Sequence, residues 1–154
     1  MKNTTLCYIE KDSSYLMLHR NKKKNDENQG KYVGIGGHFL ENESPYECIV
    51  REAKEETGLD ILPIYRGIVT FVSDKYESEQ MHLFTASKYS GELCDCPEGI
   101  LEWVKKSSLK DIPMWQGDYI FFDLLEKRED FFSLRLEYKG EDLVSYSIDG
   151  VKIK

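Results

Sequence analysis

The sequence predicts an α/β fold in which a mixed β-sheet is sandwiched between α-helices. Three observations predict it. β-rich runs flank one sharply bounded helix on both sides, a second amphipathic helix comes late, and a hairpin pattern closes the chain. The 154 residues contain no internal repeat, no low-complexity tract and no Pro/Gly/Ser-rich linker, so one domain over 1–154 is expected, long enough to bury a core. With 40% hydrophobic and 12% aromatic residues the composition is that of a globular protein, not a disordered one.

The elements follow in order. Residues 4–9 ("TTLCYI") and 15–19 ("YLMLH") are β-rich and joined by the polar "EKDSS", which reads as a hairpin. A polar, partly basic loop, "NKKKNDENQGK", leads into "VGIGGHF", where closely spaced glycines require a tight turn or a close backbone approach. The first helix is marked by Ser44 as N-cap, Pro45 at the first helical position, Glu47 to complete a capping box and Gly58 at the C-terminal end. Residues 61–73, 80–88 and 100–104 read as strands, 117–130 as an amphipathic helix, and 131–148 as a hairpin turning at "KGED".

Charge and cysteines narrow the function. A net charge of −7 argues against a surface for nucleic-acid polymers, which draws on clustered Lys and Arg. An acidic protein still handles an anionic substrate when bound metal ions supply the positive charge. Cys7, Cys48, Cys94 and Cys96 are too few and too irregular for a disulfide scaffold, and the "CDC" at 94–96 has no matching Cys/His pair for zinc. The sequence shows no cleavage signal and no apolar run of membrane-spanning length, so a cytoplasmic protein with no membrane partner is expected.

The first helix crowds Glu52, Glu55 and Glu56 into five positions. On a helical wheel Ile49, Ala53, Tyr46 and Val50 share the arc expected to face the core, Glu52 and Glu56 border it, and Glu55 lies just beyond. Arg51 stands at helical spacing from Glu47 and Glu55 and would neutralise part of the cluster. Carboxylates striped along the edge of a buried face suit a hard cation such as Mg²⁺ or Mn²⁺.

The spacing around them is specific. Gly37, Glu43 and then "REAKEETGL" from Arg51 to Leu59 match G-x5-E-x7-R-E-U-x-E-E-x-G-U, with small Ala53 in a slot for a bulky apolar residue. A chance match in a chain of this length is on the order of one in a million at ordinary residue frequencies. This is the Nudix box, and the chain resembles the Nudix hydrolases, which cleave nucleoside diphosphates linked to another moiety. The likeness spans nearly the whole chain. "GKYVGIGGHF", "LEWV" and "MWQGDYIFF" resemble the mutator-type subfamily that destroys 8-oxo-dGTP.

The resemblance implies a Nudix fold and Mg²⁺-dependent hydrolysis of a small nucleotide, with 8-oxo-dGTP going to the monophosphate and pyrophosphate in nucleotide-pool sanitation. By it Glu52, Glu55 and Glu56 are metal ligands, helped by a main-chain carbonyl at Gly36 or Gly37, and Glu43 and Arg51 orient them. Glu98, just before a strand, would complete the site, and either it or Glu52 would take the proton of the attacking water. Trp115 would stack on the purine and Asp118 hydrogen-bond it, with Thr5 and Val33 lining the same pocket. Arg20 and Lys23 would meet phosphates, and Gly36, Gly37 and His38 complete the expected substrate-binding set, although His38 has no chemical role of its own. Mammalian members carry asparagine at the place of Val33 and an acidic residue at that of Gly117. Other Nudix substrates, namely ADP-ribose, dihydroneopterin triphosphate or a capped RNA end, are the alternatives. A nucleotide-sensing domain without turnover is a further one, and such domains lose box glutamates that are all present here. A monomer or homodimer is expected.

Overall fold

The computed structural model describes residues 1–21 and 27–154. Strand β1 (Lys2–Lys11) turns through Asp12 and Ser13, at φ 49° and 61°, into β2 (Ser14–His19). Two consecutive left-handed residues are what a two-residue hairpin needs to match strand twist. Then come β3 (Tyr32–Val33), α1 (Pro45–Thr57), β4 (Asp60–Ile61), β5 (Ile64–Ser73), β6 (Glu79–Ala86), β7 (Tyr89–Ser90) and β8 (Ile100–Lys105). A 3-10 turn (Lys106–Asp111), α2 (Gln116–Lys127), β9 (Phe132–Lys139), β10 (Asp142–Ile148) and β11 (Val151–Lys152) complete the chain.

Among the described residues the main sheet has nine strands in the order β11-β10-β9-β5-β6-β1-β2-β3, with β8 also paired to β2. The pairs β1–β6 and β5–β9 are parallel and the rest antiparallel, so the sheet is mixed as expected. Strands β4 and β7 form a separate small ladder.

Period-two alternation assigns each strand residue to one of two cores. Tyr8, Met17 and Leu83 face Phe121, Phe122 and Leu125 of α2 on one side. Cys7, Ile9, Leu16 and Phe84 face Ile49 and Ala53 of α1 on the other. The helices therefore cover opposite faces of one sheet, the predicted sandwich. No described helix is long and apolar enough to cross a membrane.

Several expectations are corrected. The 61–73 run is two strands, because Pro63 has no N–H for the ladder and β4 turns aside to pair with β7. The strand expected over 80–88, β6, ends at Ala86. Helix α2 stops at Lys127, because Arg128 leaves it to grip Asp130 and Asp149 at 2.8 and 2.7 Å. The buried face of α1 is rotated from the expected arc, leaving Tyr46 49% exposed while Cys48, Glu56 and Thr57 turn inward. That rotation is tolerated because the neighbouring backbone supplies Glu56 with a donor.

Candidate functional site

Helix α1 holds the acidic stripe, and its ends are well defined. The Ser44 hydroxyl accepts from the Glu47 N–H at 3.1 Å, while the Ser44 N–H donates to the Glu47 carboxylate at 2.9 Å. At the other end Gly58, at φ 81°, donates its N–H to the Lys54 carbonyl at 3.0 Å. Because Glu47 is committed to this cap, the Arg51–Glu47 contact read from helical spacing does not form.

Arg51 turns instead to Glu43 in the loop before the helix, with Nε and Nη2 donating at 2.7 and 2.9 Å as a two-pronged pair. It also reaches Glu52 at 2.8 Å, Glu55 at 3.3 Å and the His38 carbonyl at 3.0 Å. These bonds from Arg51 push the Glu43 carboxyl down to about 2, so it stays ionised. One guanidinium thus ties the loop 38–43 to the helix and aligns two of the box carboxylates.

The segment after β3 brings the main chain against those carboxylates. Where β2 diverges, residues 35–38 run antiparallel along β1, with Cys7 N–H to Ile35 O at 2.6 Å and Thr5 N–H to Gly37 O at 2.9 Å. Gly36 is required here: a Cβ on it would lie 1.9 Å from the Thr5 carbonyl oxygen. Its N–H donates to Glu56 at 2.9 Å. Gly37 is pressed against Glu52, whose carboxylate carbon would stand 2.6 Å from an added Cβ. The Gly37 carbonyl is turned into the β1 pairing, so of the two carbonyls considered the one at Gly36 is freer to face a cation.

Glu56 is 9% exposed, and burial, aided by the charges of Glu52 and Glu98, pushes its carboxyl up to about 8. Glu98 enters from the loop before β8, opposite α1, and pairs with Arg20 at 3.4 Å. Glu52, Glu55, Glu56 and Glu98 therefore line one end of a cleft of ≈ 680 Å³. Among the described residues no three acidic, His or Cys side chains close into a ready-made cage, since Arg51 draws Glu52 and Glu55 along the helix. Oxygen donors converging on a buried carboxyl are nonetheless a set that fits a hard divalent cation, whose charge would offset the burial and the added repulsion that raise Glu56.

The other end of the cleft is apolar and aromatic. Trp115 and Asp118, at the start of α2, both line it, with Leu6, Val33, Phe71 and Leu136. Trp115 is anchored by its indole N–H to Asn28 at 2.7 Å and lies under the Lys31 ammonium at 4.6 Å. Its contacts with Phe71, Tyr76 and Tyr138 are edge-on. Asp118 is 8% exposed, and burial pushes it up to about 8 against the lowering pull of Lys31, so near neutral pH it is a carboxylic acid that both donates and accepts. A larger residue at Gly117 would force its neighbours to shift, since an added Cβ would meet the Leu136 side chain at 2.4 Å.

The cleft brings together Thr5, Arg20, Val33, Gly36, Gly37, His38, Glu52, Glu55, Glu56, Glu98, Trp115 and Asp118. Arg51 stands behind the stripe, and Lys23 lies outside the described residues. Arg20 meets Glu98 as well as the cleft, a contact that sequence spacing does not reveal. Missed from the sequence were Tyr8, Asn28, Lys31 and Tyr138. Strand alternation gives the side chain of Tyr8 a face, but nothing local says that this face opens into a cleft.

Comparison with known proteins agrees with this fold. The NUDIX domain profile matches residues 2–125. An uncharacterized Nudix hydrolase of Bacillus subtilis is 30% identical over all of this chain and 98% of its own length. The oxidized purine nucleoside triphosphate hydrolase of Danio rerio is 27% identical over 84% of this chain and 85% of its own. The crystal structure of a MutT protein from Bacillus halodurans superposes with a TM-score of 0.86 at 28% identity, covering 97% of this chain and 98% of the other. With its box, its sheet between two helices and its profile match over most of its length, this chain belongs to the Nudix family of hydrolases.

Proposed function

We infer that the protein is a Mg²⁺-dependent pyrophosphohydrolase of oxidised purine nucleoside triphosphates, 8-oxo-dGTP foremost, releasing the monophosphate and pyrophosphate. One observation carries the reading: a single cleft joins the carboxylate stripe to a buried aromatic pocket with a neutral acid in it. A polyphosphate and a flat base are the two ends of such a substrate. The name of the Danio rerio relative supports the same choice of base.

Glu52, Glu56 and Glu98, with the Gly36 carbonyl, would hold the cation, and Glu55 at the helix edge would take a share of a second; Mn²⁺ suits the same donors. When bound, the metal offsets phosphate charge and lowers the pKa of a coordinated water. Arg51 fixes the orientation of Glu52 and Glu55 and holds the loop carrying Glu43. Glu98 is the better general base, because its side chain is 40% exposed at the cleft mouth and meets Arg20 only at 3.4 Å, whereas an oxygen of Glu52 is held by Arg51 at 2.8 Å. Arg20, beside Glu98, would meet the phosphates. Trp115 supplies a large flat surface to the base, and the Asp118 acid reads its edge.

The test is pyrophosphate release with Mg²⁺ from 8-oxo-dGTP, dGTP, ADP-ribose and dihydroneopterin triphosphate side by side. Preference for 8-oxo-dGTP, with 8-oxo-dGMP as the second product, supports the reading. Preference for ADP-ribose or the pteridine nucleotide overturns it.

A further inference from the structure

Tyr8 is a fully buried tyrosine whose ring is held by aromatic neighbours, with centroids 4.6 Å from Phe122 in edge contact and 5.5 Å from Tyr15. This packing fixes the direction of its hydroxyl, which stays buried behind the cleft wall that Tyr8 helps to line, under Gly34, where an added Cβ would stand 2.9 Å from Tyr8 Cζ. Among the described residues no group accepts the hydroxyl proton. The Gly34 amide faces the oxygen, and the Asp118 carboxyl is close enough to act on it. A buried hydroxyl without an acceptor costs stability, and phenylalanine would pack the same ring without that cost. The hydroxyl thus has no evident use within the folded chain.

Apart from Tyr138, its neighbours at this end are committed or apolar. The Tyr138 hydroxyl accepts the Gly117 N–H at 2.7 Å and keeps its own proton to donate, the Trp115 N–H is bound to Asn28, and Leu6, Val33 and Leu136 offer no hydrogen bond. What this end presents to an inserted base is an unspent donor on Tyr8 beside the Asp118 carboxyl.

We propose that the Tyr8 hydroxyl donates a hydrogen bond to an acceptor, a ring nitrogen or carbonyl oxygen, on the buried edge of the base, and so is a specificity-determining residue of this chain beside Asp118. The proposal rests on the nucleotide reading above. Because the base lies far along the cleft from the carboxylates, the bond acts on binding and leaves the chemical step alone.

The experiment compares Tyr8→Phe with the unaltered protein for Mg²⁺-dependent turnover of 8-oxo-dGTP and dGTP, alongside thermal melting without nucleotide. The expected result is a KM for the preferred nucleotide raised roughly tenfold, with kcat within about twofold, the worth of one hydrogen bond. The Tm of the variant is expected to be unchanged or higher, since an unsatisfied hydroxyl has gone. An unchanged KM, or a lowered Tm with kcat falling and KM constant, overturns the proposal and leaves Tyr8 a packing residue. An unaltered protein that turns over neither purine triphosphate overturns the nucleotide reading and this inference together, whereas normal turnover with an unaffected Tyr8→Phe overturns this inference alone.

Discussion

Asp118→Asn probes the aromatic end of the cleft without using activity. Burial holds the Asp118 proton up to about 8, against an ordinary value of 3.8 that the unfolded chain recovers. Between those values the folded chain keeps a proton that the unfolded chain releases, so stability falls as pH rises through the window and levels off above it. Roughly 4 pH units at 1.36 kcal/mol each make the loss on the order of 5 kcal/mol between pH 4 and 8. Asparagine has the same shape and no proton to lose, so its chain escapes that penalty. The assay is urea unfolding of both proteins at several pH values from 4.5 to 8, in chelator and without nucleotide. Glu56 titrates in a similar range, but its contribution is common to both proteins and cancels in the difference. The variant should gain on the unaltered protein steadily as pH rises. Parallel stability curves would refute the reasoning and place Asp118 in water.

Other substitutions test the supports of the stripe. Arg51→Ala releases Glu43, Glu52 and Glu55 at once and should lower metal affinity or activity by about 10- to 100-fold, read in Mg²⁺ titrations of turnover. Arg51→Lys should restore little, because an ammonium lacks the fork that grips Glu43. Ser44→Ala removes the cap of α1 and should cost about 1 kcal/mol in urea unfolding. Gly36→Ala drives a methyl into the Thr5 carbonyl and should cost about 3 kcal/mol or more, with loss of activity, because the same shift pulls the N–H away from Glu56.

Much of this site was legible in the sequence because a Nudix box fixes both chemistry and spacing. The capping box and the terminal glycine set the ends of α1, and the box spacing singled out Glu52, Glu55 and Glu56. What local pattern did not carry was tertiary. The choice of Glu43 over Glu47 by Arg51 depends on how the loop 38–43 folds back, and the capping bond that removes Glu47 is visible only once the helix begins at Pro45. The inward turn of Glu56 depends on the Gly36 N–H arriving from another element. Tyr8 and Asn28 became pocket residues, and Lys31 the ammonium over Trp115, only when β1, the loop before β3 and α2 were brought together. Pro63 shows the opposite case: its missing N–H was a local signal against one continuous strand over 61–73, and the apolar pattern masked it.

The proposed chemistry requires the carboxylates of α1 and Glu98 to hold a divalent cation. Its most direct test is Mn²⁺ binding followed by water-proton relaxation, for the unaltered protein and for Glu52→Gln, Glu56→Gln and Glu98→Gln. The expected result is saturable binding in the unaltered protein that is weakened in each variant while the fold persists by circular dichroism. Equal Mn²⁺ affinity in all four proteins would contradict it.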